Sequence, residues 1–338
     1  MEIFVSHYSA LSYWRAGGQD TPRPNSLRPN LPNDCVPKYE TLRSMLPELS
    51  EINAISLQPK TKCTEREASR SQSTATPPSK LYILSPAADK RQRHDLVSCR
   101  VWSSRIPLRS FAKVSAKVSV SSPEFTFLQL ARDLDLISLI QIGFELCGSY
   151  SINPNHPKGF HARPQVTSTA KLASYLESAQ GTPGANKAMQ AARFVIDNSA
   201  SPAETKLAMF LTLPTRYGGF GLPKPELNRT VIASAGLDHM LGNRICDLVW
   251  EQANLAIEYD SDAEHALSHK IHADSVRRNE LVTEGITIIT VTKRQLYNLI
   301  ELRKIVEQIS PMLTDRYRVR TKDHSSRQHQ LYGRLLAS

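Results

Sequence analysis

Arg244-Ile245-Cys246-Asp247-Leu248-Val249-Trp250, the turn Glu251-Gln252-Ala253-Asn254, and Leu255-Ala256-Ile257-Glu258-Tyr259-Asp260 decide how the C-terminal part of this chain folds. Two apolar, β-rich runs with so short a turn between them read as an antiparallel hairpin. Side chains along a strand alternate between faces, so Glu258 and Asp260 share one face and Tyr259 takes the other. Folding about residues 252 to 253 sets Asp247 opposite position 258. Three carboxylates, Asp247, Glu258 and Asp260, then converge at one end of the sheet. Taken singly, each of these acids is also what a solvated strand end looks like.

The flanking sequence extends the hairpin into a domain. Ser201-Pro202-Ala203-Glu204 places a hydroxyl cap, a proline at the first helical position and an acid in the first turn, so a helix runs from there through Leu213. Gly218 to Pro223 is a loop, and Leu227 to Ala233 is a first strand before the hairpin. A polar helix is expected over Ala263 to Thr283, ended by Gly285, followed by a buried strand over Ile286 to Thr292 and a helix over Arg294 to Ile309. The order helix, three strands, helix, strand predicts a mixed sheet flanked by helices. Residues 199–309 are that domain, and 310–338 form a basic tail with Arg316, Arg318, Arg320, Lys322 and Arg327.

Converging carboxylates raise one another's pKa unless a cation stands between them. Magnesium takes oxygen ligands from one or two carboxylates and leaves room for substrate phosphate, which is the setting of metal-assisted phosphodiester hydrolysis. Magnesium or manganese is therefore the expected cofactor, with Asp247, Glu258 and Asp260 as ligands. On the helix that follows, His265, His269 and His272 share one face, which reads either as a metal-binding or as a solvated surface. Arg277 and Arg278 reach phosphates or pair with Asp274 and Glu284.

The N-terminal portion is less regular. Phe4 to Ala16 has helical spacing at Phe4, Leu11 and Trp14 and stops at Gly17-Gly18. Residues 20–37 are loop, Tyr39 to Leu57 holds one helix, and 58–80 is a polar linker. Leu81 to Leu84, Leu96 to Trp102 and Val114 to Val120 are short strands, the last half-buried with a wet face. These make 1–120 a basic region of mixed helix and strand. Ser122-Pro123-Glu124 opens a helix, a second runs from Leu136 to Cys147, and 151–168 is a Pro-rich connection. Helices over Thr169 to Gln180 and Asn186 to Asp197 complete a helical connecting region, 121–198. The fold class is α+β overall.

Composition narrows the partners. The chain of 338 residues carries a net charge of +10, and residues 1–120 hold 18 Lys and Arg against 10 Asp and Glu. A basic half of this kind is the footprint of a protein that meets polyanions, DNA above all, although solubility alone yields the same composition. No apolar run approaches the ~20 residues of a membrane span, so no membrane partner is expected. Met1 to Ala16 is too polar for a secretory signal. Five scattered cysteines fit a reducing cytoplasm better than a disulfide framework or a zinc site.

Ile245 to Trp250, Ile257-Glu258-Tyr259-Asp260-Ser261-Asp262 with His265, Asp274 to Leu281, and Gly285 to Thr292 together resemble a bacterial domain family related to the very-short-patch-repair endonucleases, within the PD-(D/E)XK nuclease superfamily. The resemblance implies a restriction-endonuclease-like α/β sheet in which Asp247 and Glu258 are metal ligands. It implies supporting catalytic roles for Glu204 and His265. It also marks a departure: the lysine expected two residues after the second acid is Asp260 here, which leaves Lys270, His265 or Arg277 to orient water and steady charge. Lys270, Arg277 and Arg278 would contact DNA. Phe4 to Trp14, the strand-rich middle and Val120 to Ala131 are similar to AbiEi-type antitoxins or transcriptional regulators, with Gln129 where an acid is usual. Two main functions follow, beside a structural or protein-binding role that the long linkers leave open. One is a metal-dependent DNA endonuclease in repair or phage defence. The other is a catalytically inactive DNA-binding regulator or antitoxin, with a toxin or other protein as partner.

Overall fold

The computed structural model describes residues 1–18, 30–52, 80–91, 95–231, 244–260, 286–314 and 323–336. The chain divides into two compact units, 1–195 and 196–338. Residues 121–195, read from sequence as a connecting region, therefore belong to the first unit.

The first unit is built on a five-stranded sheet. Its strands are β1 (Ile3–Val5), β2 (Leu81–Ser85), β3 (Val97–Val101), β4 (Phe111–Lys113) and β5 (Val118–Ser121), in the order β3-β2-β1-β5-β4. β1 and β5 run parallel at the centre with Ile3 against Val118 and Val5 against Val120, while β2 is antiparallel to β1 and β4 to β5. A parallel pair needs both faces covered, and every residue of β1 and β5 is buried. This corrects two sequence expectations. Phe4 is in a strand, and the helix starts at His7. The run expected over Val114 to Val120 begins at Val118 and has no wet face.

The unit also holds the helices α1 (His7–Ala16), α2 (Tyr39–Glu51), α3 (Pro123–Leu130), α4 (Leu136–Leu146), α5 (Thr169–Ser178) and α6 (Ala185–Ala192), of which α1 and α3 pack on the sheet. Gly17 ends α1 in the left-handed region at φ 117°, where glycine carries no Cβ penalty. Phe4, Phe111, Phe125 and Trp102 form a chain of edge-to-face rings through the core, with centroid spacings of 4.8, 5.6 and 4.8 Å. Trp14 joins it by donating its indole N–H to Ser121 O at 2.8 Å. The connection 151–168 also holds structure that its prolines conceal, the hairpin of β6 (Tyr150–Ile152) and β7 (Phe160–Ala162).

α3 starts as its sequence dictates. Ser122 Oγ accepts from Phe125 N–H at 3.2 Å, and Pro123 fills the first helical position. Ser122→Ala removes one orphan donor's partner at a buried helix start, so it is expected to cost about 1 kcal/mol. Thermal unfolding checks this as a fall in Tm of roughly 2–4 °C.

In the second unit, α7 (Pro202–Thr212) precedes a four-stranded sheet of β8 (Glu226–Val231), β9 (Arg244–Trp250), β10 (Leu255–Asp260) and β11 (Thr287–Thr292), in the order β11-β10-β9-β8. β8, β9 and β10 are successively antiparallel, and β11 lies parallel to β10. This is the mixed sheet expected from the strand order. The helix expected over 263–283, which would make the parallel crossover, lies outside the described residues.

Two later elements differ from the sequence reading. The helix expected over Arg294 to Ile309 is two, α8 (Lys293–Leu296) and α9 (Leu299–Leu313), because Asn298 accepts from Ile300 and Glu301 N–H and starts a new helix. The supposed basic tail contains α10 (His324–Leu336), whose His324, Gln328, Leu331 and Leu335 are buried. Gln328 Oε1 accepts from Arg303 Nε and Nη2 at 3.0 and 2.7 Å, and His324 Nε2 lies 3.1 Å from Gly219 O. Arg327 is on this helix, whereas Arg316, Arg318, Arg320 and Lys322 fall outside the described residues. Gly218 makes the contact with α10 feasible. Its φ is 89°, and an added Cβ would stand 2.3 Å from Arg327 O. Gly218→Ala thus combines backbone strain with a clash against backbone, and is expected to destabilise by roughly 2 kcal/mol or more, read by chemical denaturation.

Candidate functional site

The candidate site is built where the ladders beside β9 are interrupted. Leu255, Ala256 and Ile257 pair with Trp250, Val249 and Leu248, so continuing the register sets Glu258 opposite Asp247. That is the opposition the hairpin turn requires, and it is reached through the tight turn Glu251–Ala253 with Asn254 at φ 45°. Pairing between β9 and β10 ends there. Asp247 Oδ2 accepts from Tyr259 N–H at 2.6 Å, so a side chain takes the place that a β9 carbonyl would occupy.

The ladder on the other side breaks at the same level. Leu227 pairs with Leu248 and Arg229 with Cys246, but Asn228 leaves the ladder opposite Asp247 with φ 49°. Asparagine is among the few residues that enter this region readily. Alternation also fails here. Cys246 packs with Val249 and Ala256, although residues three apart on a regular strand point to opposite faces. Cys246 Sγ then lies 3.8 Å from Glu258 Oε1. Departures of this kind from regular strand geometry gather at functional positions.

The turned-out Asn228 reaches the helix that opens the unit. Its Nδ2 donates to Glu204 Oε2 at 2.6 Å and to Asn198 O at 2.8 Å. Glu204 also accepts from Ala200 N–H at 2.8 Å and from Ser201 Oγ at 2.8 Å, while Ser201 Oγ accepts from Glu204 N–H at 3.2 Å. The buried Glu204 carboxylate therefore braces the helix start, bonding the N-cap hydroxyl and the backbone N–H of the residue before it. It is tied through Asn228 to the level of the sheet that holds Asp247.

The predicted residues are thus only partly brought together. Glu204, Asp247 and Glu258 lie along one line from α7 through β8 and β9 to β10. Asp260 closes β10, in register with Thr292 of β11. The expected convergence of three carboxylates is not realised: among the described residues, no three His, Cys, Asp or Glu side chains are grouped to hold a metal ion. The reason is geometric, since Asp247 turns into the gap between strands and Glu258 turns toward Cys246. His265, Lys270, Arg277 and Arg278, with His269 and His272, lie outside the described residues.

Sequence reasoning missed Asn228, because an asparagine inside a strand-like run carries no signal of the conformation it adopts. It also missed two lysines that burial pushes toward the neutral amine. Lys206 lies on α7, and Lys224 precedes β8, where Asp197 partly offsets the effect of burial. Among the described residues no helix is long and apolar enough to cross a membrane. Family models, curated proteins and solved structures yield no match to the chain.

Proposed function

We propose that the second unit is an endonuclease-like domain that acts on DNA, with Asp247 and Glu258 as the pair that holds a magnesium or manganese ion. The observation that supports it is the interrupted sheet around Asp247, where Asp247 and Glu258 hold opposed register positions at the end of the β9–β10 ladder. The donor set fits the ion. Magnesium favours oxygen ligands and binds through one or two carboxylates plus water and phosphate, so a third carboxylate is not needed. A ligating carboxylate is commonly oriented by a further hydrogen bond, and Tyr259 N–H is placed to supply one to Asp247. When bound, the ion would polarise a phosphodiester oxygen and lower the pKa of a coordinated water.

On this reading the chain's own groups have distinct tasks. Asp247 is oriented from the backbone, Glu258 offers the second carboxylate, and Glu204 is a positioning residue that acts through Asn228. The basic residues 1–120 would hold the DNA backbone, with affinity that falls as salt rises.

A second reading, a DNA-binding regulator or antitoxin without chemistry, is favoured by two observations. Asp260 stands at the place of the lysine, and the Glu204 carboxylate is already engaged in capping. Supercoiled plasmid with magnesium or manganese separates the two. Nicking by the full chain supports the nuclease reading. A protein that shifts DNA on a gel but leaves plasmid intact supports the regulator. Absence of DNA binding at low salt overturns both.

A further inference from the structure

The first unit holds a buried polar cluster that has no part in the proposed metal site of the second unit. It sits where the parallel strands β1 and β5 deliver the chain to helices α1 and α3, the end of an α/β sheet at which ligands commonly bind. At its centre is His7, buried to 3% exposure and held at φ 49°. Histidine rarely adopts that conformation inside a fold unless its surroundings impose it. Here they do: His7 N–H donates to Gln129 Oε1 at 3.0 Å, and Gln129 Nε2 donates to Ser121 Oγ at 3.1 Å. The ring is fixed as well, with Nδ1 3.0 Å from Ser6 Oγ and the Tyr82 ring 6.3 Å away. These contacts engage the backbone N–H and Nδ1, not Nε2.

Two guanidinium groups complete the cluster. Arg100 lies over the Tyr82 ring at 5.4 Å and contacts Asp133 at 3.2 Å, yet its Nε is buried and bonded to nothing among the described residues. A buried donor without an acceptor is costly and points to one that is supplied from outside. Arg132 is exposed in the turn just past α3, three residues after Gln129 and adjoining Asp133. Burial, reinforced by Arg100 and Arg132, pushes the His7 pKa down to about 3, so the imidazole is neutral near pH 7.

We propose that this cluster binds a phosphate group, with Arg100 and Arg132 supplying charge and His7 Nε2 a hydrogen bond. Two guanidinium groups partly offset by one carboxylate leave net positive charge, which a phosphate monoester of about −1.5 to −2 complements better than a singly charged carboxylate does. Free nucleotides and the 5′-phosphate end of a nucleic acid strand offer the same chemistry.

The test uses the full chain labelled at histidine and observed by NMR, titrated with inorganic phosphate, adenosine monophosphate, a short single strand with or without a 5′-phosphate, and acetate. Phosphate should move the His7 imidazole signals, and Arg132→Gln should weaken that binding at least tenfold. Arg100→Gln should do the same if thermal unfolding shows it folded. Response to the mononucleotide alone assigns the site to nucleotides, and response to the 5′-phosphorylated strand alone assigns it to DNA ends. Either supports the proposal. Unmoved signals with every phosphate probe, an equal response to acetate, or wild-type affinity in Arg132→Gln would overturn it. The result does not depend on nuclease activity, because the same titration can be run on Asp247→Ala.

Discussion

Asp247→Asn is expected to abolish plasmid nicking while leaving the second unit folded. The amide keeps an oxygen able to accept from Tyr259 N–H, so the joint between β9 and β10 survives and only the charge is lost. Removing a metal-ligating charge forfeits several kcal/mol of transition-state stabilisation. At about 1.4 kcal/mol per tenfold change in rate, that corresponds to a loss on the order of 100- to 1000-fold. Asp247→Ala removes the acceptor as well and should lower Tm in addition. Comparing the two by nicking rate and thermal unfolding separates the chemical role of Asp247 from its structural one. A nicking rate in Asp247→Asn within a few-fold of wild type would mean that the acid serves the sheet alone.

The largest effect on stability is expected in the first unit. Arg15 Nε and Nη2 donate to the two Glu145 carboxylate oxygens at 2.7 and 2.6 Å, all buried, and Ile152 N–H adds a third bond at 3.0 Å. Arg163, also buried, donates to Glu145 O at 2.7 Å. Glu145→Gln leaves Arg15 without its charge partner in the interior. Breaking one side of a buried ion pair costs about 3–5 kcal/mol, far more than the intact pair contributes over an apolar substitute. For a unit of this size that is a fall in Tm of roughly 10 °C.

The same pair sets a pH dependence with a definite sign. Burial alone would raise the Glu145 pKa, but the charge and hydrogen bonds of Arg15, with Ile152 N–H and Arg163, outweigh it and hold the carboxyl below its ordinary value. A depressed folded-state pKa stabilises the protein above the unfolded value of about 4.3 and loses that stabilisation as pH falls through the folded value. The Tm difference between wild type and Glu145→Gln should therefore be constant near neutral pH and shrink only below about pH 4. A difference that already narrows between pH 7 and 5 would contradict this assignment.

What the sequence made legible was what local physics decides. The turn 251–254 is short enough to set the hairpin register, so the opposition of Asp247 and Glu258 followed from counting. Ser122 and Ser201 announced their helices because a hydroxyl before proline has one efficient use. Elements decided by distant partners were hidden. β1 is three apolar residues whose strand character comes from β2 and β5, residues far along the chain. α10 is amphipathic, yet its many Arg, Gln and His residues concealed a buried edge that needs α9 and the loop at Gly219 to be recognised. In the site itself, the acids could be named but not their orientation. Asp247 turns into the ladder to accept from Tyr259 N–H, and Glu204 reaches that level through the left-handed Asn228.

Metal binding tests the central claim most directly. Calorimetric titration of the full chain with manganese should reveal one equivalent bound, lost in both Asp247→Asn and Glu258→Gln while their thermal unfolding stays close to wild type. Wild-type protein that binds no manganese, or binds it equally in both variants, would contradict the shared ion between β9 and β10.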